Sequence, residues 1–187
     1  MAPQQETARQ KEEDRENVPV TTKLSLVADD TDPTPINEFR DVYYFLSNFY
    51  PAECRIPCIG PDDPKDDLIY PTSEHAYQAA KTLNIQERTF ICLRPTPAIA
   101  KAEGKKLPLI PNWNNRKLLV MRSILRVKFT NPHLQLMLLK TGNRPLIEGN
   151  NWGDTFWGQV NNVGENHLGR ILMTLREEFR LNAVLWG

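Results

Sequence analysis

Residues 71–81 read Pro71-Thr72-Ser73-Glu74-His75-Ala76-Tyr77-Gln78-Ala79-Ala80-Lys81. A helix interior excludes the proline, while Thr72 or Ser73 can accept from the first orphan N–H groups. Ala79 and Ala80 favour helix strongly. The stretch therefore predicts a helix beginning near Ser73, with Glu74 in the first turn, where the positive end of the helix dipole favours a carboxylate. Ala76, Ala79, Ala80 and Leu83 recur at i, i+3, i+4 and i+7, which is a packing stripe. Glu74, Gln78 and Lys81 share another side, so an acid, an amide and an amine stand in a row. Such a row is either a solvated polar face or the wall of a pocket.

Outward from this helix, composition sets the bounds. An apolar fraction of 40% and four tryptophans in 187 residues suffice for one core with an extension. Residues 1–38 hold four basic and nine acidic side chains and no aromatic ring, against 19 basic and 14 acidic in residues 39–187. The first segment cannot bury enough apolar surface to offset its ordering entropy and is expected to be a disordered extension, with at most a local strand over 18–27. The body, 39–187, is mildly basic, which tolerates a phosphate-bearing ligand but makes no nucleic-acid stripe. Three cysteines, an odd number, argue against a disulfide framework, and Cys54 and Cys58 have no second pair at zinc spacing. No metal and no cofactor are expected. No apolar run reaches a membrane span, and the polar N-terminus is not a secretory signal, so an intracellular place is expected.

Phe39–Tyr50 reads as an aromatic strand running into Phe45-Leu46-Ser47-Asn48-Phe49-Tyr50-Pro51, with short strands also at 54–59 and 68–70 and a strand end at 145–148. Thr96-Pro97 and Gly104 bound a short helix, and Asn114 or Asn115 caps a longer one reaching Phe129. Leu118, Met121 and Leu125 form the apolar arc of that helix, and Lys128 falls on the same arc. A buried ammonium costs several kcal/mol unless paired, so Lys128 either snorkels or has a depressed pKa, the state in which an amine attacks a sugar aldehyde. Asn131-Pro132 opens another helix, and 165–180 forms the last, followed by a tail in which Trp186 docks on the body. Between them, residues 145–169 are dense in Gly, Asn and Trp, the make-up either of a loop with positive φ or of a ligand-facing one. Glu148 and Asp154 add carboxylates there. Carboxylates, aromatic plates at Trp113, Trp152 and Trp157, and a desolvated amine suit glycosidic chemistry on a planar base. No P-loop, dinucleotide fingerprint or serine elbow is present.

The chain also resembles the NADAR (YbiA-like) family. The resemblance is carried by Phe45–Pro51, Pro71–Lys81, Trp113, the Met121–Phe129 segment ending in Lys128-Phe129, Leu146–Glu148, Asp154-Thr155-Phe156-Trp157-Gly158, Gly164–Gly169 and Leu172-Met173, in order. It implies a compact, mainly helical α+β domain with a few short strands and hydrolysis of an N-glycosidic bond. The substrate implied is ADP-ribosylated guanine in DNA or RNA, the hydrolase removing the ADP-ribose. A free riboflavin-pathway metabolite is the first alternative, and a silent module that binds ADP-ribose or NAD is the second. Matched to these motifs, Glu74 is the implied acid/base, Asp154 its assistant and Lys128 the covalent amine, with Lys81 as rival for that role. Ser47, Asn48, Phe49, Lys81, Trp113, Glu148, Trp157, Gly158 and Asn166 are the implied substrate contacts.

Overall fold

The computed structural model describes residues 32–57 and 63–186, without the side chains of Val184 and Trp186. Six α-helices follow a 3₁₀ helix at Asp41–Leu46: α1 (Ser73–Ala79), α2 (Ile85–Cys92), α3 (Pro97–Gly104), α4 (Trp113–Lys128), α5 (Pro132–Leu139) and α6 (His167–Trp186). Local chemistry starts most of them. The Thr72 hydroxyl accepts from His75 N, Asn84 from Gln86 N and Glu87 N, Thr96 from Ile99 N ahead of Pro97, and Asn131 from His133 N and Leu134 N.

The short α1 is the centre of the molecule. It packs against α2, α3 and α4, and every one of its residues is buried, on all sides. The polar face is therefore not solvated, and the apolar stripe ends sooner than its spacing suggests, since Leu83 is exposed. The core continues through Val120, Met121, Ile124, Leu125 and Phe129 of α4 to Leu134 and Leu138 of α5, and to Leu168, Leu172 and Leu175 of α6. Arg122 and Arg126, on the outer side of α4, both pair with Glu178 of α6.

Several expectations are corrected. The segment 39–50 is not a strand. Asp41 has φ 48°, and Tyr43 N donates to Arg40 O and Ser47 N to Tyr44 O, so the chain coils into 3₁₀ turns that bury Phe45 and Leu46. A strand needs a neighbour to satisfy its backbone, and none runs beside these residues. The β part of the expected α+β fold reduces, among the described residues, to isolated bridges: Ile36 with Leu146, Cys54 with Tyr70, Gly149 with Gln159 and Val160 with Val163. Helix α4 begins at Trp113, and its N-cap is Asn112 in a left-handed conformation with no side-chain cap, in place of Asn114 or Asn115. Helix α2 has no counterpart in the sequence reading; only Arg88 and Ile91 of it are buried. The expected tail from Leu181 is instead the last part of α6. The strand over 18–27 and Cys58 lie outside the described residues, as does most of the N-terminal extension. Its end is packed, however: Ile36 is buried and bonded to both sides of Leu146, Ile36 N donating to Pro145 O and Ile147 N to Ile36 O.

Candidate functional site

A cavity of about 680 Å³ opens beside α1, and its wall is assembled from five parts of the chain. Pockets that hold small molecules run to roughly 300–1,000 Å³, so a nucleotide-sized ligand fits. Helix α1 contributes Glu74, Tyr77 and Gln78, and the turn that follows it contributes Lys81. Loop 47–49 contributes Ser47, Asn48 and Phe49. Lys101, Gly104 and Lys105 come from α3 and its end, Trp113, Lys117 and Met121 from one stripe of α4, and Glu148, Trp152, Asp154, Phe156 and Trp157 from the long loop.

The loop reaches α1 because the first-turn N–H groups need acceptors. Glu74 N donates to Asn48 O at 3.0 Å, and the Ser73 hydroxyl donates to Asn48 Oδ1 at 3.1 Å. Inside the cavity, Lys81 Nζ donates to Gln78 Oε1 at 2.6 Å and Gln78 Nε2 to Glu74 Oε1 at 2.7 Å. The amide thus joins the amine to the acid. Burial pushes the Glu74 pKa up, opposed by Lys101, the Gln78 hydrogen bond and Lys81. Burial pushes Lys81 down, opposed by Glu74 and reinforced by Lys101 and Lys105. Gly104 makes the row possible: a Cβ there would meet Gln78 Oε1 at 2.3 Å.

Opposing chemistry comes from the aromatics. The Tyr77 ring stands 5.4 Å from Trp113 and 5.4 Å from Trp157, giving a continuous π surface. Trp157 is placed by Asp154, whose Oδ1 accepts from Phe156 N at 3.2 Å and Trp157 N at 2.8 Å. Lys117 lies over the Phe156 ring at 3.7 Å and Lys101 over Phe49 at 5.9 Å. Lys81, Lys101, Lys105 and Lys117 all line the cavity, and none is in an ion pair among the described residues.

Three of the residues singled out from the sequence do not line the cavity: Lys128, Gly158 and Asn166. Lys128 faces inward as its helical position requires, but its amine ends behind the 47–49 loop. Nζ donates to Ser47 O at 2.8 Å and lies 5.6 Å from the Tyr50 ring and 5.3 Å from the Phe129 ring. It does not snorkel, being 1% exposed, and burial pushes its pKa down to about 7. Asn166 has φ 53°, accepts from Glu148 N at 3.0 Å and donates to Leu146 O at 2.8 Å, so its amide is spent on the backbone. At Gly158 a Cβ would lie 2.0 Å from Glu148 O. Both hold the Glu148 backbone in place. The long loop satisfies both of its readings: Gly153, Asn161, Asn162, Gly164 and Asn166 have positive φ, and its carboxylates and rings face the cavity.

Tyr77, Gln78, Lys101, Lys105, Lys117, Met121, Trp152 and Phe156 line the cavity but were not among the expected contacts. A signal existed for some. Trp113, Lys117 and Met121 are at i, i+4 and i+8 of one helix, and Lys101 and Lys105 are at i and i+4.

A family model for the NADAR domain matches residues 36–180. The chain belongs to the NADAR family. It is 38% identical over 145 residues to N-glycosidase YbiA of Shigella flexneri serotype 5b (strain 8401), spanning 75% of this chain and 84% of that one. It is 36% identical over 152 residues to the riboflavin biosynthesis protein PYRR, chloroplastic, of Zea mays, spanning 74% of this chain and 24% of that one. The NMR structure of the E. coli protein YbiA superposes with a TM-score of 0.70 at 33% identity, over 82% of this chain and 89% of that one. The mainly helical fold of this NADAR domain is thus that of YbiA. Among the described residues no helix is long and apolar enough to cross a membrane, and no three His, Cys, Asp or Glu side chains converge as metal ligands.

Proposed function

We propose that this NADAR protein hydrolyses an N-glycosidic bond, removing ADP-ribose from guanine bases of nucleic acid. The observation that carries the reading is the Lys81–Gln78–Glu74 row in the wall of a nucleotide-sized cavity, beside the Tyr77, Trp113 and Trp157 rings. Naming of two relatives as N-glycosidases supports the bond class. Lys101, Lys105 and Lys117, which line the cavity without a carboxylate partner, favour a ligand with more than one phosphate, and the rings favour a base. A substrate of this kind goes with an intracellular place, cytoplasmic or nuclear.

In this reading the amine that attacks the anomeric carbon is Lys81. Burial favours its neutral, nucleophilic form, and the Glu74 carboxylate two hydrogen bonds away can take the proton it loses. Lys128 is set aside for this role because its amine is committed to the Ser47 carbonyl behind the wall. Attack of the amine nitrogen on C1′ breaks the C1′–N bond, whose electron pair stays on the base nitrogen. The glycosyl-lysine then opens, the C1′–O4′ bond breaking as the nitrogen pair forms C1′=N and the proton taken up by Glu74 passes to O4′, and one water resolves this Schiff base to free Lys81 and ADP-ribose. Asp154 serves by fixing Trp157 and by its charge beside both glutamates.

The maize relative's name supports a second substrate, a free metabolite on the route to riboflavin. Release of ADP-ribose from an ADP-ribosylated guanine oligonucleotide is the test. Turnover of the metabolite alone would move the assignment there, and binding without turnover of either would leave a ligand-binding module. Borohydride added during turnover should trap an adduct on Lys81; a label on Lys128, or no adduct, would refute the covalent assignment.

A further inference from the structure

Glu148 is a carboxylate that the row on α1 does not use, and its setting differs from that of Glu74. Its Oε2 is fully buried without any hydrogen-bond partner, although the residue lines the cavity. A buried polar atom without a partner is rare, and in a cavity wall it marks a place for a ligand atom. The backbone behind it is clamped. Glu148 N donates to Asn166 Oδ1 at 3.0 Å, Glu148 O accepts from Gln159 N at 2.9 Å, and Gly158 is pressed against the same carbonyl. One residue group further back, Asn166 also holds Leu146 O, against which Gly169 leaves no room for a Cβ. A backbone held so firmly fixes where the carboxylate starts, and its partnerless oxygen suits a single directed contact.

We propose that Glu148 is the acid of the reaction, giving its carboxylic proton to the leaving nitrogen of the base as the C1′–N bond breaks. The inference rests on the N-glycosidase reading and assigns it a second carboxylate. Burial pushes Glu74 up as well, but its carboxylate accepts from Gln78 Nε2, and Lys101, that hydrogen bond and Lys81 all oppose the rise, so of the two it is the one with support for a negative charge. Glu148 has Asp154 as its strongest charge neighbour, a like charge, with Lys101, Arg40 and Lys128 opposing more weakly. Burial first and Asp154 second push the Glu148 carboxyl up to about 7. Two carboxylates whose surroundings differ in this way divide into a base and an acid. The balance closes. The Lys81 nitrogen takes C1′ and its proton goes to Glu74, while the base nitrogen takes the bond pair and the Glu148 proton. Ring opening carries the Glu74 proton to O4′; the water that resolves the Schiff base then leaves its oxygen on C1′ and returns one proton to Glu148 and one to the Lys81 nitrogen, so one water is consumed per bond broken.

The test is Glu148→Gln, which keeps the shape but has no acidic proton, compared with Glu148→Asp, which keeps the proton one methylene further away. Glu148→Gln should lower kcat on the order of 100-fold or more with KM little changed, and should lose the alkaline limb of the wild-type pH profile near neutrality. Glu148→Asp should retain more activity than Glu148→Gln. Activity of Glu148→Gln within about threefold of wild type, or Glu148→Asp no better than Glu148→Gln, would overturn the assignment. Infrared difference spectra of wild type against Glu148→Gln read the proton directly and need no substrate. A protonated carboxyl band present below neutral pH and lost above it is expected; an ionised Glu148 throughout would sink the inference even if the variant is inactive. Wild-type protein that cleaves no N-glycoside while showing that band would refute the functional reading and not the protonation.

Discussion

Replacing Lys128 by methionine separates a structural amine from a reactive one. In the folded protein burial holds its pKa at about 7, against an ordinary lysine value of 10.5. The folded form therefore gives up its proton first. Between these two values the unfolded chain binds more protons than the folded one, so stability rises with pH; below the folded value both states are protonated and the penalty is constant. Starting from a folded value of about 7, the integrated gain between about pH 7 and pH 9 is about 2 kcal/mol. Lys128→Met should lose that gain. Glu148, at about 7, titrates at the lower edge of the window, and Cys54, pushed by burial up to about 12, adds a decline near its upper end; burial outweighs Lys128 at both, so these contributions largely cancel between the two proteins. Urea unfolding of wild type and variant at both pH values gives the double difference. A double difference under about 0.5 kcal/mol would refute the argument that the amine is desolvated and titrates on folding. Methionine also leaves the Ser47 carbonyl without its donor, a cost of about 1–3 kcal/mol that partly cancels the relief from a buried ammonium. Turnover should stay within about tenfold of wild type, whereas Lys81→Met should lose roughly a thousandfold or more.

Gly104→Ala places a Cβ 2.3 Å from Gln78 Oε1 and 2.6 Å from its Cβ, so α3 or the amide must move. Overpacking of this kind costs about 1–3 kcal/mol, and the break in the Lys81–Gln78–Glu74 row should cut kcat; an unchanged melting temperature and rate would show that the row is not confined by α3. The double substitution of Lys101 and Lys105 by methionine should raise KM about tenfold for a diphosphate-bearing substrate and flatten the salt dependence of KM, as kinetics across an ionic-strength series would report. An unaltered salt dependence would remove the lysines from ligand binding.

Much of the chain was legible because its signals are local. Thr72, Thr96-Pro97 and Asn131-Pro132 start helices through bonds within three residues, so no distant partner is needed to read them. The inward turn of Lys128 follows from helical spacing alone, and so does the shared side of Glu74, Gln78 and Lys81. The family motifs brought Glu74, Asp154 and Glu148 together in the sequence reading, and the cavity has all three in its wall. Periodicity says which residues share a face, but not what that face meets. Residues 39–50 looked like a strand because aromatic side chains suit one, yet a strand exists only beside a partner, and the chain took 3₁₀ turns instead.

By itself, then, the sequence determined where α1, α3 and α5 start, which side chains share a helical side, and which family the chain belongs to, all of which depend on neighbours along the chain. Only the tertiary structure decided that the polar side of α1 is buried and lines a cavity, and that Lys81 reaches this cavity while Lys128 stops behind Ser47. It also decided that Asn166 and Gly158 grip Glu148 from behind, and that lysines from α3 and α4 join the rim. The reason is physical. Desolvation and the pairing of charges depend on packing between segments far apart in the chain, and no local pattern carries that information.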